Sequence, residues 1–164
     1  MSCVSLGLLP RRVINLSFVF FVAIALLAAR AAVSYAQKPT AEQPLFSDFK
    51  GVRIGMSTDE ARKKLGSPRD KGDDQDFYLY NDTQAVQVFY DKASKTVTAI
   101  SIDYMSGANA IPTPKDVVGS EPETKADGSA YKLVRYPKAG FWVSYSKTAG
   151  NSPTITITLQ KIDH

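Results

Sequence analysis

The 164-residue chain has one cysteine, Cys3, and one histidine, His164, its last residue. The body of the chain therefore lacks the thiol and imidazole needed for a Cys-His pair, a Ser-His-Asp triad or a usual zinc site. Disulfides are excluded with them, so stability has to come from burial and sheet pairing. Glycine-rich phosphate loops are missing too, because Gly51 to Gly55 has neither the spacing nor the lysine of such a loop. Acidic residues are absent from residues 1–36, which carry Arg11, Arg12 and Arg30. The formal net charge of +4 sits mostly there, leaving 17 basic against 16 acidic side chains in residues 37–164. A nearly neutral body gives no electrostatic case for nucleic acid as a partner.

What is present at the amino terminus is an export pattern. Arg11 and Arg12 precede an apolar run from Val13 to Ala29, and small residues follow, ending Val33-Ser34-Tyr35-Ala36. This layout predicts a secretory signal peptide over residues 1–36, cut between Ala36 and Gln37. Retention as an uncleaved anchor is the alternative, since the 17-residue run is at the lower edge of what spans a bilayer. Cys3 precedes the run, whereas a lipoprotein cysteine follows it. The expectation is a periplasmic or extracellular protein that is not a lipoprotein and has no stable membrane insertion after cleavage.

Four segments are predicted: residues 1–36 as leader, 37–50 as linker with a short helical turn at Phe46-Ser47-Asp48-Phe49, 51–107 as a first helix-and-meander repeat and 108–164 as a second, degenerate one. Ser57-Thr58-Asp59-Glu60 is a capping box, and Gly66 and Pro68 close the helix that it starts. Strand patterns follow over Asp76 to Tyr80, Ala85 to Tyr90 and Val97 to Tyr104, with connections short enough for hairpins. Thr113-Pro114-Lys115-Asp116 opens a second helix. Three more strand patterns come after it, at Ala130 to Tyr136, Phe141 to Ser146 and Thr154 to Lys161. Val88, Tyr90, Lys92, Ile100 and Ile102 recur 55 residues later as Val143, Tyr145, Lys147, Ile155 and Ile157. The predicted fold class is α+β, with short helices packed on an antiparallel sheet in two tandem helix-plus-three-strand repeats.

Ile54-Gly55-Met56-Ser57-Thr58-Asp59-Glu60-Ala61, then Leu65-Gly66-Ser67-Pro68, then the aromatic strand Phe77 to Tyr80, resemble the SmpA/OmlA (BamE-like) family of outer-membrane assembly lipoproteins. A tandem pair of such units is similar to the architecture of the beta-lactamase inhibitor protein. The resemblance covers about 50 residues of the first repeat and implies a small envelope or secreted module that binds other proteins and is not an enzyme. The lipid-anchoring cysteine of that family has no counterpart after the leader here.

Asp70, Asp73, Asp74 and Asp76 crowd one segment and have the oxygen chemistry that calcium prefers, but Arg69 and Lys71 stand among them. A solvated charged loop is the favoured reading, and no cofactor or metal is expected. Alternation along the strands assigns Phe77, Leu79, Val86, Val88, Tyr90, Ile100, Ile102, Tyr104, Phe141, Val143, Tyr145, Ile155, Ile157 and Leu159 to a core face. Tyr78, Tyr80, Phe89 and Trp142 then fall on the opposite face among Ser, Thr and Gln. Aromatics in such company suit protein recognition, because they bury much area at little entropic cost. The expected function is binding of a protein partner of unknown identity through that face. The alternatives are a secreted enzyme inhibitor acting through hairpin loops such as Lys147 to Ser152, and a carboxylate-based hydrolase.

Overall fold

The structure, a computed structural model, describes residues 43–162. The leader, its cleavage site at Ala36 and Gln37, and His164 lie outside the described residues. From the two capping sequences and the six alternating segments comes the order α1 (Thr58–Leu65), β1 (Asp70–Lys71), β2 (Gln75–Asn81), β3 (Gln84–Tyr90), β4 (Val97–Tyr104), α2 (Pro114–Val118), β5 (Ala130–Tyr136), a 3-10 turn (Pro137–Ala139), β6 (Phe141–Lys147) and β7 (Ile155–Lys161).

Both predicted caps form. The Glu60 amide donates to Ser57 Oγ and the Ser57 amide donates back to Glu60 Oε2, each at 3.4 Å. Thr113 and Asp116 repeat the exchange ahead of α2, with Pro114 in its first turn. Helices this short are not stable alone, and their ends are held by the sheet. Thr58, for example, gives both its amide and its hydroxyl to the Lys95 carbonyl in the β3–β4 turn, at 2.9 and 3.1 Å.

The strands form one antiparallel sheet in the order β1-β2-β3-β4-β7-β6-β5. It is larger than the six predicted strands, because Asp70 and Lys71, read as loop, add a short edge strand paired with Asp76 and Phe77. The two meanders meet third strand to third strand, and Ile102 is opposite Ile157, its counterpart at the 55-residue offset. That offset does not carry across both meanders. Val88 pairs with Ile100, whereas Val143 pairs with Leu159, four residues beyond Ile155. The difference is even, so the inward faces still coincide.

Ala61 and Leu65 of α1 and Val117 and Val118 of α2 pack with Val86, Val88, Ile100, Ile102, Val143, Ile157 and Leu159 in one core. Two expectations are corrected here. Phe46 to Phe49 is not a helical turn; Phe49 and Val52 exchange backbone hydrogen bonds of 3.0 and 2.9 Å across a tight turn in which Lys50 and Gly51 both have positive φ. Strand β2 is also inverted relative to the predicted alternation. Tyr78 is buried in the core and Tyr80 packs against it, while Phe77 and Leu79 point away. The segment Phe77-Tyr78-Leu79-Tyr80 is apolar on both sides, so its alternation carried no information. The buried Asp76 decides the register.

No helix among the described residues is long and apolar enough to cross a membrane. Removing either cap oxygen, by Ser57→Ala or Thr113→Ala, is expected to cost about 1 kcal/mol. The sites share no partner, so the double variant should lose close to the sum of the two in denaturant melts.

Candidate functional site

The four clustered aspartates meet different fates. Asp70 joins the edge strand, Asp73 is exposed, and Asp74 pairs with Lys92 at 2.9 Å. Asp76 is fully buried, and its carboxylate accepts from Arg62 Nε at 2.7 Å, Arg62 Nη2 at 2.9 Å, the Gly72 amide at 3.2 Å and the Tyr90 hydroxyl at 2.9 Å. Arg62 also donates to the Gly72 carbonyl at 2.8 Å, and its guanidinium lies 5.6 Å from the Tyr90 ring centre. Gly72 is bent so tightly that a Cβ there would meet the Gln75 carbonyl oxygen at 2.6 Å. Among the described residues no group of three or more His, Cys, Asp or Glu side chains is arranged to hold a metal ion.

Burial pushes the Asp76 carboxyl up, but its hydrogen bonds from Arg62, Tyr90 and Gly72 outweigh that and hold it below its ordinary value. Burial and the neighbouring Asp76 charge push Tyr78 up to about 12 and raise Tyr90 as well. This arrangement is a lock between helix and sheet. All its strong acceptors are occupied, so it offers no free base for chemistry.

On the other face of the sheet none of the described side chains belongs to the core cluster, although Ala85, Ala99 and Ser144 there are themselves buried. Strand pairing arranges them in three rows of six. One row runs Gln75, Phe89, Ala99, Gln160, Trp142, Arg135. The next runs Phe77, Gln87, Ser101, Thr158, Ser144, Leu133, and the third Leu79, Ala85, Asp103, Thr156, Ser146, Tyr131. Within these rows Asp103 and Arg135 are charged, and Asp70 of β1 extends the second row beside Phe77; Asp103 accepts from Thr156 Oγ1 at 2.7 Å. Between Phe89 and Thr158, over Ala99 and Ser101, lies a shallow depression of about 740 Å³ whose lining includes the Asp74–Lys92 ion pair, Asp91 and Lys161.

Of the four predicted binding aromatics, Phe89 and Trp142 stand half-buried in the same row of this face. Tyr78 and Tyr80 do not join them. Tyr78 is 2% exposed on the core side, and Tyr80 stacks on it at 6.2 Å with Lys50 Nζ 3.7 Å from its ring centre. Their places on the outer face are taken by Phe77 and Leu79, which alternation had assigned to the core. The hydroxyl row was visible in the sequence as alternating Ser and Thr, but its alignment across three strands depends on pairing.

Among the described residues the fold is a small α+β structure with short helices on one face of a seven-stranded antiparallel sheet. No protein-family model matches the chain, and neither does any curated protein or solved structure.

Arg62→Met leaves the fully buried Asp76 carboxylate uncompensated and is expected to cost about 3–5 kcal/mol in denaturant titrations, whereas Asp76→Asn, which leaves the partly exposed Arg62, should cost less. The folded-state lowering of the Asp76 carboxyl contributes stability that is complete above its ordinary value of 3.8 and is lost as the pH falls toward the lower folded value. Acid unfolding should therefore be shallower in Asp76→Asn than in the parent chain. At the alkaline end, raised hydroxyls contribute stability present below the ordinary tyrosine value of 10.0 and lost as Tyr78 ionises near about 12. Tyrosinate absorbance during unfolding checks this.

Proposed function

We propose that the chain is an exported, non-catalytic module that binds another protein through the outer face of its sheet, with Phe89 and Trp142 as anchors. The observation that carries this reading is the register. It sets two large aromatics in one row, three strand spacings or about 14 Å apart, across Ala99 and Gln160, with the charged residues of the face at its margins. Interface centres are depleted of charge and enriched in aromatics, and Ser, Thr and Gln supply adaptable hydrogen bonds around them. Export is supported by the leader pattern and by the absence of acidic residues from residues 1–36. A tandem origin for the two halves is supported by the paired capping boxes and by the meeting of equivalent strands at Ile102 and Ile157.

A carboxylate hydrolase is less well supported, because Asp76 is locked by Arg62 and Asp74 is engaged by Lys92. The inhibitor reading keeps one specific observation in its favour. Thr148 and Thr154 exchange hydrogen bonds of 3.0 and 2.8 Å at the neck of the β6–β7 hairpin, presenting exposed residues 149–152 on a held stem.

Cross-linked capture from envelope extracts, quantified by mass spectrometry, separates the two. Trp142→Ala and Phe89→Ala are expected to reduce capture of a specific partner by about tenfold or more. Replacing residues 149–152 with glycine and serine should leave capture intact. The opposite pattern would transfer the activity to the hairpin.

A further inference from the structure

The two edges of the sheet are finished differently. On one side β1 is two residues long, both exposed, and the tight bend at Gly72 follows it, which leaves little edge to pair with. On the other side β5 runs seven residues beside β6 with no break in register and no proline. The chain begins an eighth strand of its own there. Thr124 bridges Ala130, and the Lys125 amide donates to the Ser129 carbonyl at 2.8 Å. Continued in the same register, Pro122 would stand opposite Lys132. Proline has no amide to give to a ladder, and among the described residues the pairing goes no further.

Beyond that point the edge is open. The Ser129 carbonyl faces Lys125, away from β6, whereas the Tyr136 carbonyl accepts from the Gly140 amide at 2.9 Å inside the β5–β6 hairpin. Alternation between these two ends turns the backbone amides and carbonyls of Leu133 and Arg135 outward. Groups in that position are met by water or by another strand. The side chains add a sign, because Lys132 and Arg135 are the charged residues of β5 and both are positive. Lys132 lies on the core side and donates to the neutral Ser120 hydroxyl. The acids of the preceding arm lie elsewhere: Glu123 and Asp127 flank the bridge at the Ala130 end, and Glu121 is near Tyr145 on the core side. Arg135 on the outer side is exposed and has no ion pair among the described residues.

We infer that this edge is a second interaction surface, which takes an extended acidic segment of another protein as an added strand along Leu133 to Tyr136, with a carboxylate set beside Arg135. Charge decides the occupant. Two copies of β5 edge to edge would bring four positive strand residues together and no negative one, so a second copy is disfavoured in every register. An acidic segment satisfies the same backbone groups and pairs with Arg135 as well. Directly opposite residues of an antiparallel pair share a face, so the carboxylate extends the row that ends Gln160, Trp142, Arg135. The surface goes beyond the Phe89 and Trp142 anchors and does not depend on them.

The test is amide hydrogen exchange of the isotope-labelled protein, read by NMR. Three probes are added in turn: a short peptide alternating valine and glutamate, its valine and lysine counterpart, and the glutamate peptide with every backbone amide N-methylated. The glutamate peptide should slow exchange at the Leu133 and Arg135 amides, and the other two should do so much less. Arg135→Glu, at an exposed side chain, should shift the preference for the glutamate over the lysine peptide by about fivefold or more. Lys63→Glu on the exposed side of α1 should leave that preference unchanged. Absence of protection by the glutamate peptide overturns the inference and leaves Lys132 and Arg135 as guards that keep strands off the edge. Equal protection by the glutamate and lysine peptides overturns it too, as does undiminished protection by the N-methylated one. Protection that appears on raising the protein concentration alone overturns it in favour of a second copy. The capture experiment with Phe89→Ala and Trp142→Ala is read separately, so failure at this edge leaves the sheet-face reading to stand or fall on its own.

Discussion

The contact on which the rest of the structure depends is the ion pair between Arg62 and Asp76. It ties the helix layer to a strand of the sheet by paired, charge-assisted bonds as well as by apolar contact. A carboxylate with no exposed surface is costly to bury unless its lone pairs are satisfied, and here two guanidinium bonds, a backbone amide and a tyrosine hydroxyl satisfy them. Those requirements reach outward. They hold the turn at Gly72, bring β1 alongside β2, and turn Tyr78 and Tyr80 toward the core. The outward positions of β2 then fall to Phe77 and Leu79. Buried pairs of this kind specify one arrangement more than they stabilise it, since a hydrophobic replacement of both partners can be equally stable.

The second organising feature is the seam between β4 and β7. Joining the two meanders through their third strands makes one continuous sheet with a single core beneath it. It also places Ser101 beside Thr158 at the middle of the outer face. Neither meander alone contains the depression or the aromatic pair: Phe89 belongs to one and Trp142 to the other. The candidate binding surface is thus a product of the joining, and its small hydroxyl-bearing centre lies over the most buried part of the core, at Ile100, Ile102 and Ile157.

Much of the fold was legible from local chemistry. The capping boxes at Ser57 and Thr113 announce their helices, because the same two residues that satisfy the first-turn amides are recognisable by type and spacing. Strands β4 and β5 begin and end where alternation and turn residues place them. The site was legible only in part. Phe89 and Trp142 sit in strands with clear alternation, Val88-Phe89-Tyr90 and Phe141-Trp142-Val143, and alternation assigned them to the correct side. Strand β2 is apolar at successive positions, so period two had nothing to act on. Asp76 at its start would ordinarily be read as exposed, as its neighbours Asp73 and Asp74 are.

By itself the sequence determined the two capped helices, the six longer strand segments and the residue types available for chemistry, all of which depend on near neighbours along the chain. Tertiary structure alone decided which way β2 faces, how the two meanders join, and which side chains share the uncovered surface. Those outcomes rest on contacts between residues far apart in sequence: Arg62 with Asp76 across a turn, Ile102 with Ile157 across the seam. A local pattern holds no information about the partner that will neutralise a buried charge or about the strand that will lie next to an edge.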